Sequence, residues 1–167
     1  MHEWVVAGAV VEGPGGILLV RNQRPGGASD WSTPGGVIDA EDLTLLEGLA
    51  REVQEETGLV VRRWGGLLYE VVAVAHDLGW VMRCEVHHAT EFEGELRVDD
   101  PDGIVVEASF VPPGRVGAVL DGCWRWVREP LAEWLLERWT PDAPRSFRFD
   151  VRGRTLDRLE VSRAARP

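Results

Sequence analysis

The order of elements legible in this chain predicts an α/β fold built on a mixed sheet, and three observations carry that prediction. Apolar and β-branched runs recur between turn signals on both sides of one strongly marked helix. That helix has its own start and stop residues. A second amphipathic segment follows late in the chain. In order, residues 4–11 read as a strand, Gly13-Pro14-Gly15-Gly16 as a turn and residues 17–21 as a second strand. Residues 22–29 form a polar, glycine-bearing loop, and Trp31-Ser32-Thr33-Pro34-Gly35-Gly36 a turn whose paired glycines let backbone approach a ligand. Thr44-Leu45-Leu46-Glu47 is a capping box that starts the helix. Residues 60–63, 67–75, 80–88 and 104–111 are strands, the last preceded by Asp99-Asp100-Pro101-Asp102-Gly103 and ended by Pro112-Pro113-Gly114. Residues 129–139 place Leu131, Trp134, Leu135 and Trp139 at helical spacing, and residues 147–151 and 156–161 flank Arg152-Gly153-Arg154 as a final hairpin. No repeat or linker interrupts residues 1–167, which are read as one domain with a C-terminal helix-and-hairpin extension over residues 129–163.

Composition agrees with a packed domain. The 167 residues are 44% hydrophobic with eight tryptophans, which excludes a disordered chain. A net charge of −10 argues against duplex nucleic acid and anionic membranes as partners. A polyphosphate ligand would meet the same repulsion unless metal ions or local arginines intervene. All eighteen basic residues are arginine, for which codon bias is the simpler explanation. Cys84 and Cys123 lack metal-ligand spacing and read as free thiols. The start, Met1-His2-Glu3-Trp4, has no basic segment followed by an apolar core, and no apolar run reaches membrane-spanning length. The expected location is cytoplasmic. Self-association as a homodimer is left open.

The chemistry concentrates in Arg51-Glu52-Val53-Gln54-Glu55-Glu56-Thr57-Gly58-Leu59. Glu52, Glu55 and Glu56 stand at i, i+3 and i+4 and share one helix face. Gly58 is the helix stop. Three like charges then crowd the negative pole of the helix dipole, each pair unfavourable by a few tenths of a kcal/mol or so. A divalent cation would convert that repulsion into a site, and hard oxygen ligands suit Mg²⁺ or Mn²⁺. Leu46, Leu49, Ala50 and Val53 form an apolar stripe displaced around the helix, so one face docks while the next presents acids beside the glycine turn. An acidic run alone usually marks only a solvated face; the adjoining turn and cap are what favour a site.

These residues resemble the Nudix box, G-x5-E-x7-R-E-U-x-E-E-x-G-U with U a bulky aliphatic residue, over residues 36–59. The half from Arg51 to Leu59 matches throughout, and Pro34-Gly35-Gly36 is the usual lead-in. The first half is degenerate: after five intervening residues, Gly36 is followed by Asp42 rather than glutamate, and eight rather than seven residues separate Asp42 from Arg51. Glu41 or Asp42 is expected to replace the missing acid and to approach the Arg51 guanidinium.

The resemblance implies an α/β/α sandwich around a mixed sheet and a hydrolase that cleaves the pyrophosphate bond of a nucleoside diphosphate linked to another group. It implies Mg²⁺ or Mn²⁺ held by Glu52, Glu55, Glu56 and the Gly35 carbonyl, with Arg51 orienting the glutamates and with Gly35 and Gly36 against substrate. The general base stays open between a box glutamate and Asp102 or Glu107 beyond it. Trp31, beside the glycine turn, is the better stacking residue for a base; Trp80 reads at least as well as core. His76, His87 and His88 are weaker candidates. No proline lies between Gly58 and Pro101, unlike the ADP-ribose pyrophosphatase group, and residues 18–24 do not resemble the coenzyme A group's motif.

Two rivals compete with the enzyme. A non-catalytic Nudix-like nucleotide-sensing domain would explain the altered half-box, although all three glutamates remain. An isopentenyl-diphosphate-type isomerase would need a reactive cysteine and a histidine-rich metal site, for which Cys84 and Cys123 have no context.

Overall fold

The computed structural model describes residues 1–165; the last two residues of the expected domain lie outside the described residues. One path of hydrogen-bonded strands runs β3 (Ser29–Ser32), β2 (Gly16–Gln23), β1 (His2–Gly13), β6 (Trp80–Glu93), β5 (Val60–Ala75), β8 (Arg145–Arg152) and β9 (Glu160–Arg163). Two further strands, β4 (Gly35–Val37) and β7 (Val105–Val111), pair with β1 and β2. β1 runs parallel to β6 and β5 parallel to β8, while the other pairs are antiparallel, so the sheet is mixed.

Both faces of the sheet are covered. Helix α1 (Leu45–Thr57) lays Leu49 and Val53 on Ala7, Ala9 and Val11, each of them almost wholly buried. On the opposite face, α2 (Pro113–Val119) and α3 (Arg125–Glu137) bring Val116, Leu131 and Trp134 onto Tyr69, Val71, Phe147 and Phe149. The period-2 alternation of strand side chains is what lets one sheet feed two cores. This is the α/β/α arrangement expected of the chain.

Several elements differ from expectation for local reasons. Residues 60–63 and 67–75 join into the single strand β5, because bulges around Trp64 and Gly66, with Gly66 at φ +127°, bend the strand without breaking its ladder to β6. Pro112-Pro113-Gly114 ends β7 but also opens α2, since proline fits the first helical turn, where no N–H is needed. β3 occupies the end of the polar stretch, paired to β2. Helix α3 starts at Arg125 rather than 129 and stops where Arg138 turns left-handed at φ 52°, its N–H on the Trp134 carbonyl at 2.7 Å. The terminal hairpin forms as β8 and β9, its second strand shortened by a helical turn at Leu156–Arg158.

Helix α1 is placed by its ends as well as its apolar stripe. The Thr44 hydroxyl accepts the Glu47 N–H at 3.1 Å, and Gly58, left-handed at φ 79°, donates to the Gln54 carbonyl at 2.8 Å. Two later carbonyls of the helix, Glu55 and Thr57, accept the Asp99 and Arg97 N–H groups at 3.4 and 2.8 Å. The loop after β6 therefore caps α1. A side chain at Gly58 would stand 2.7 Å from the Glu95 carbonyl oxygen, so glycine is required by the close loop as well as by φ. Removing the central docking side chain tests this arrangement: Leu49→Ala should destabilise the protein by about 2–5 kcal/mol in urea unfolding. An unchanged midpoint would mean that α1 is held by its ends alone.

Candidate active site

Strand β4 packs tightly between β1 on one side and helix α1 on the other. Gly35 has φ +144°, and a side chain there would lie 2.0 Å from the Ala7 carbonyl oxygen. One at Gly36 would lie 3.0 Å from Glu52 Oε2. In that space the Gly35 N–H donates to Glu56 Oε2 at 2.9 Å. Ala9 N–H bonds the Pro34 carbonyl and Ile38 N–H the Val5 carbonyl, which fixes the alternation of the β1–β4 ladder. Gly35, opposite Gly8, falls in a non-hydrogen-bonded pair, so its N–H and carbonyl both turn away from β1. The N–H goes to Glu56, and the carbonyl is left on the same side.

Glu56 is buried, at 7% exposure. Burial is the main cause that pushes its carboxyl up to about 8; the Gly35 hydrogen bond opposes the shift, and the negative charges of Glu52, Asp100 and Glu55 add to it. Burial likewise raises Glu52, against the pull of Arg51. Both carboxyls thus hold their protons to higher pH than an exposed glutamate would.

Among the described residues, Arg51 is the one guanidinium paired with these glutamates. Its Nη1 donates to Glu52 Oε1 at 2.8 Å and Glu55 Oε2 at 3.3 Å. Its other edge grips Asp42, with Nη2 to Oδ2 at 3.1 Å and Nε to Oδ1 at 3.3 Å, while Asp39 stands at 3.5 Å. The hydrogen bond from Arg51 is the largest cause of a lowered Asp42 carboxyl, and the reciprocal bond from Asp42 raises Arg51. Asp42, rather than the exposed Glu41, therefore takes the place of the missing box acid. The extra residue is accommodated at Gly48, where a side chain would stand 2.6 Å from Asp42 Oδ2. A glycine inside an otherwise good helix was the available signal for this contact.

The other expected residues divide. Asp102 faces the cluster closely enough to raise Glu52. Asp100 turns its carboxylate onto the N–H groups of Asp102, Ile104 and Val105 at 3.1, 2.9 and 2.8 Å and so shapes the acidic loop. Glu107 is on β7, paired with Arg21 at 2.9 Å. Trp31, on β3, lines a groove with Pro112 and Val119 of the α2 region and not the cavity that Gly35 borders. Trp80 meets Trp126 edge-on at 6.4 Å. His76 sits in the turn after β5, the His87 ring bonds Glu85 at 2.8 Å, and His88 packs against Trp134. None of the three histidines makes a hydrogen bond to the box glutamates among the described residues. Both cysteines are free.

Among the described residues, no three acids or histidines converge on one point as a ready-made metal cage. Arg51 holds Glu52 and Glu55, and Glu56 is turned onto Gly35. The donor set nevertheless fits a hard divalent ion in kind: three neighbouring carboxyl groups and a backbone carbonyl turned off its ladder, all oxygen donors. Beside Glu55 lies an open concavity of about 390 Å³ bordered by Gln54, Arg97 and Asp99. Arg97 is exposed there and has no carboxylate partner among the described residues. Its place was not legible from sequence, because nothing local distinguishes it from the other arginines.

A family model described as NUDIX domain matches residues 2–135. No curated protein matched the sequence. Among solved structures, the chain is similar to a MutT NUDIX hydrolase from Burkholderia pseudomallei at 29% identity, over 68% of this chain and 86% of that one, with a TM-score of 0.59. It is similar to a mutator MutT protein from Bacillus halodurans at 22% identity, over 98% and 99% of the two chains, with a TM-score of 0.65. It is also similar to the NUDIX domain of Shewanella oneidensis NrtR complexed with ADP ribose, at 20% identity over 83% and 89%, with a TM-score of 0.64. The family match spans the glycine turn, the capped acidic helix and the sheet that holds them, and on it the chain belongs to the NUDIX domain family.

Proposed function

We propose that the protein is a metal-dependent hydrolase that cleaves the pyrophosphate bond of a nucleoside diphosphate linked to another group. The observation that carries this reading is the buried Glu56 carboxylate on the Gly35 N–H, beside Glu52 and Glu55 and short of compensating positive charge. Family membership supports pyrophosphohydrolysis in general. The NrtR domain's complex with ADP ribose supports a nucleotide-type ligand for this fold.

In this reading Glu52, Glu55, Glu56 and the Gly35 carbonyl would hold Mg²⁺ or Mn²⁺. When bound, such an ion neutralises diphosphate oxygens and activates water near neutral pH. The residues of the chain do the rest. Glycine at 35 and 36 admits the diphosphate against backbone. Asp42 holds Arg51, and Arg51 sets the rotamers of Glu52 and Glu55. Arg97 offers a fork to phosphate oxygens at the edge of the cluster. Asp102 stands near Glu52 as the acid outside the box best placed to take a proton from water. Two free cysteines agree with a cytoplasmic setting, and among the described residues no helix is long and apolar enough to cross a membrane.

The direct test is a panel of nucleotides, nucleotide sugars and dinucleotides assayed for released phosphate or phosphomonoester with Mg²⁺, Mn²⁺ or chelator. Turnover of at least one member, lost in chelator, is expected. A member that binds tightly and survives with both metals, while nothing else turns over, would replace the enzyme by the nucleotide-sensing reading.

Glu55→Gln and Glu56→Gln should each keep the fold and lose most Mg²⁺ binding in calorimetry. In chelator, Glu56→Gln should melt no lower than the parent near neutral pH, because the amide is neutral like the protonated carboxyl it replaces and its oxygen still accepts the Gly35 N–H. Unchanged metal binding in both variants would defeat the assignment. Asp42→Asn keeps the shape of the side chain but removes its charge. It should lower metal affinity or turnover about 10- to 100-fold, as loss of a group that orients ligands does. Activity equal to the parent's would leave Asp42 a purely structural role.

A further inference from the structure

The two faces of the sheet are not equally covered. On the α3 side, Val71 and Ala73 of β5 and Phe147, Phe149 and Val151 of β8 are buried in one core. The alternate residues of the same strands point the other way, where α1 docks over Ala7, Ala9, Val11 and Ala89. Past the start of α1 that face lies open. Val72, Val74 and Val81 belong to neither helix-packed core, and Val5 beside them is 43% exposed. Two of the strands that widen this face, β8 and β9, lie beyond the residues that the family model matches.

Strand register arranges its side chains in rows. The first row sets Glu85 of β6 directly opposite Glu70 of β5, a like-charge pair that is unfavourable. Among the described residues, Glu70 meets only the Ser146 hydroxyl at 3.3 Å, and Glu85 the His87 ring at 2.8 Å. The second row is Val5, Arg83, Val72 and Arg148, and the third Val81, Val74 and Asp150. Glu3 holds Arg83 at 2.9 Å, whereas Arg148 reaches Asp150 only at 3.7 Å. Arg152 ends the face; it makes no ion pair among the described residues, although Glu160 lies across from it on β9. Val72 stands between two hollows of about 170 and 270 Å³, one bordered by Leu45 and Glu85 and the other by Arg148 and Ala164. The face therefore has an acidic end without a basic partner, an apolar middle and a free basic end.

We propose that this open face binds a second copy of the chain, the two copies related by a two-fold axis that runs across the strands between Val72 and Val74. Turning one copy end to end about that axis brings Glu70 of each beside Arg152 of the partner subunit, and Arg148 of each onto Asp150 of the partner subunit. The valines meet at the centre, ridge to hollow. An isologous contact requires a self-complementary pattern of this kind, with each charge finding its opposite after the rotation. Helix α1 begins beside the acidic end, at Leu45, so the rotation keeps the two copies of α1 at opposite ends of the contact. Five strands about 4.8 Å apart and seven residues of about 3.3 Å each give roughly 550 Å² per copy, about 1,100 Å² in the pair, which is at the lower end of specific interfaces. All of these residues lie outside the acidic cluster of α1, so the proposal is independent of the hydrolase reading.

Sedimentation velocity with light scattering on the full-length chain tests this, and at roughly 0.1 mM the parent should show the mass of a dimer. Val72→Arg, Arg148→Asp and Asp150→Arg should each weaken association by about 10-fold or more, with melting close to the parent's. Mixing Arg148→Asp with Asp150→Arg in equal amounts should restore the dimer, because one copy is then acidic at both positions and the other basic at both. An ion pair confined within one chain cannot be restored by mixing. The mixing experiment rests on exposed charges alone, so it decides the matter even where Val72→Arg folds poorly. A parent that stays monomeric, a dimer indifferent to Val72→Arg and Arg148→Asp, or a mixture that does not reassociate would overturn the proposal.

Discussion

Strand β4 is wedged between its neighbours, so that a Cβ at Gly35 would collide with the Ala7 carbonyl of β1 and one at Gly36 would crowd Glu52 of α1, and most of the functional geometry follows from that closeness. It puts the Gly35 N–H on Glu56, buries that carboxylate, and turns the Gly35 carbonyl to the acidic side. The approach is held from three directions. Leu49 and Val53 dock the helix on β1, Thr44 fixes its start, and the Arg97–Asp99 backbone caps its end. No single one of these contacts would place a carboxylate to within a hydrogen bond. Together they leave the helix little freedom to slide.

Charge is the second constraint. The chain carries −10 overall, and most of its arginines are committed to carboxylates, including a bidentate pair to Glu12 from Arg138 and the pairs that Arg145 and Arg163 make near the C-terminal hairpin. Within the acidic cluster, Arg51 is shared among Asp39, Asp42, Glu52 and Glu55. One guanidinium orients several acids but cannot neutralise them, which is why Glu56 responds to burial and to its neighbours by holding its proton to about 8. The same arrangement keeps the glutamates ordered before any cation arrives, because Arg51 is itself clamped by Asp42. Preorganisation of this kind lowers the conformational penalty of binding and resembles the support that outer groups give to metal ligands.

How much of this could be seen in the sequence depends on whether the signal was local. The box helix, its Thr44 cap and Gly58 stop, the outer strands and the final hairpin were legible because each rests on spacing within a few residues. The acid that meets Arg51 was legible as a pair of candidates, Glu41 or Asp42, and only the folded loop, which brings Asp42 onto the Arg51 guanidinium beside Gly48, decides between them. Helix α2 was hidden because a proline pair and two glycines, Gly114 and Gly117, depress helical propensity, and tertiary contacts through Val116 override it. Trp31 looked close to the glycine turn in sequence, yet β3 runs back along β2 and carries its ring to the α2 side.

The two sides of the Gly35 turn have opposite chemistry, and that contrast shapes what the site can accept. On the α1 side, carboxylates, Arg97 and an open concavity suit charged, hydrated groups. On the α3 side, Cys84, Met82, Val86 and Trp126 suit a neutral flat one. A ligand that is charged at one end and apolar at the other has a single orientation in which neither end is mismatched. Reversal would bury phosphate against an apolar floor, where its charge is strongly disfavoured, and would expose the ring to solvent among acids. Orientation would therefore be set by the partition of charge between the two faces of one sheet, with Gly35 touching both.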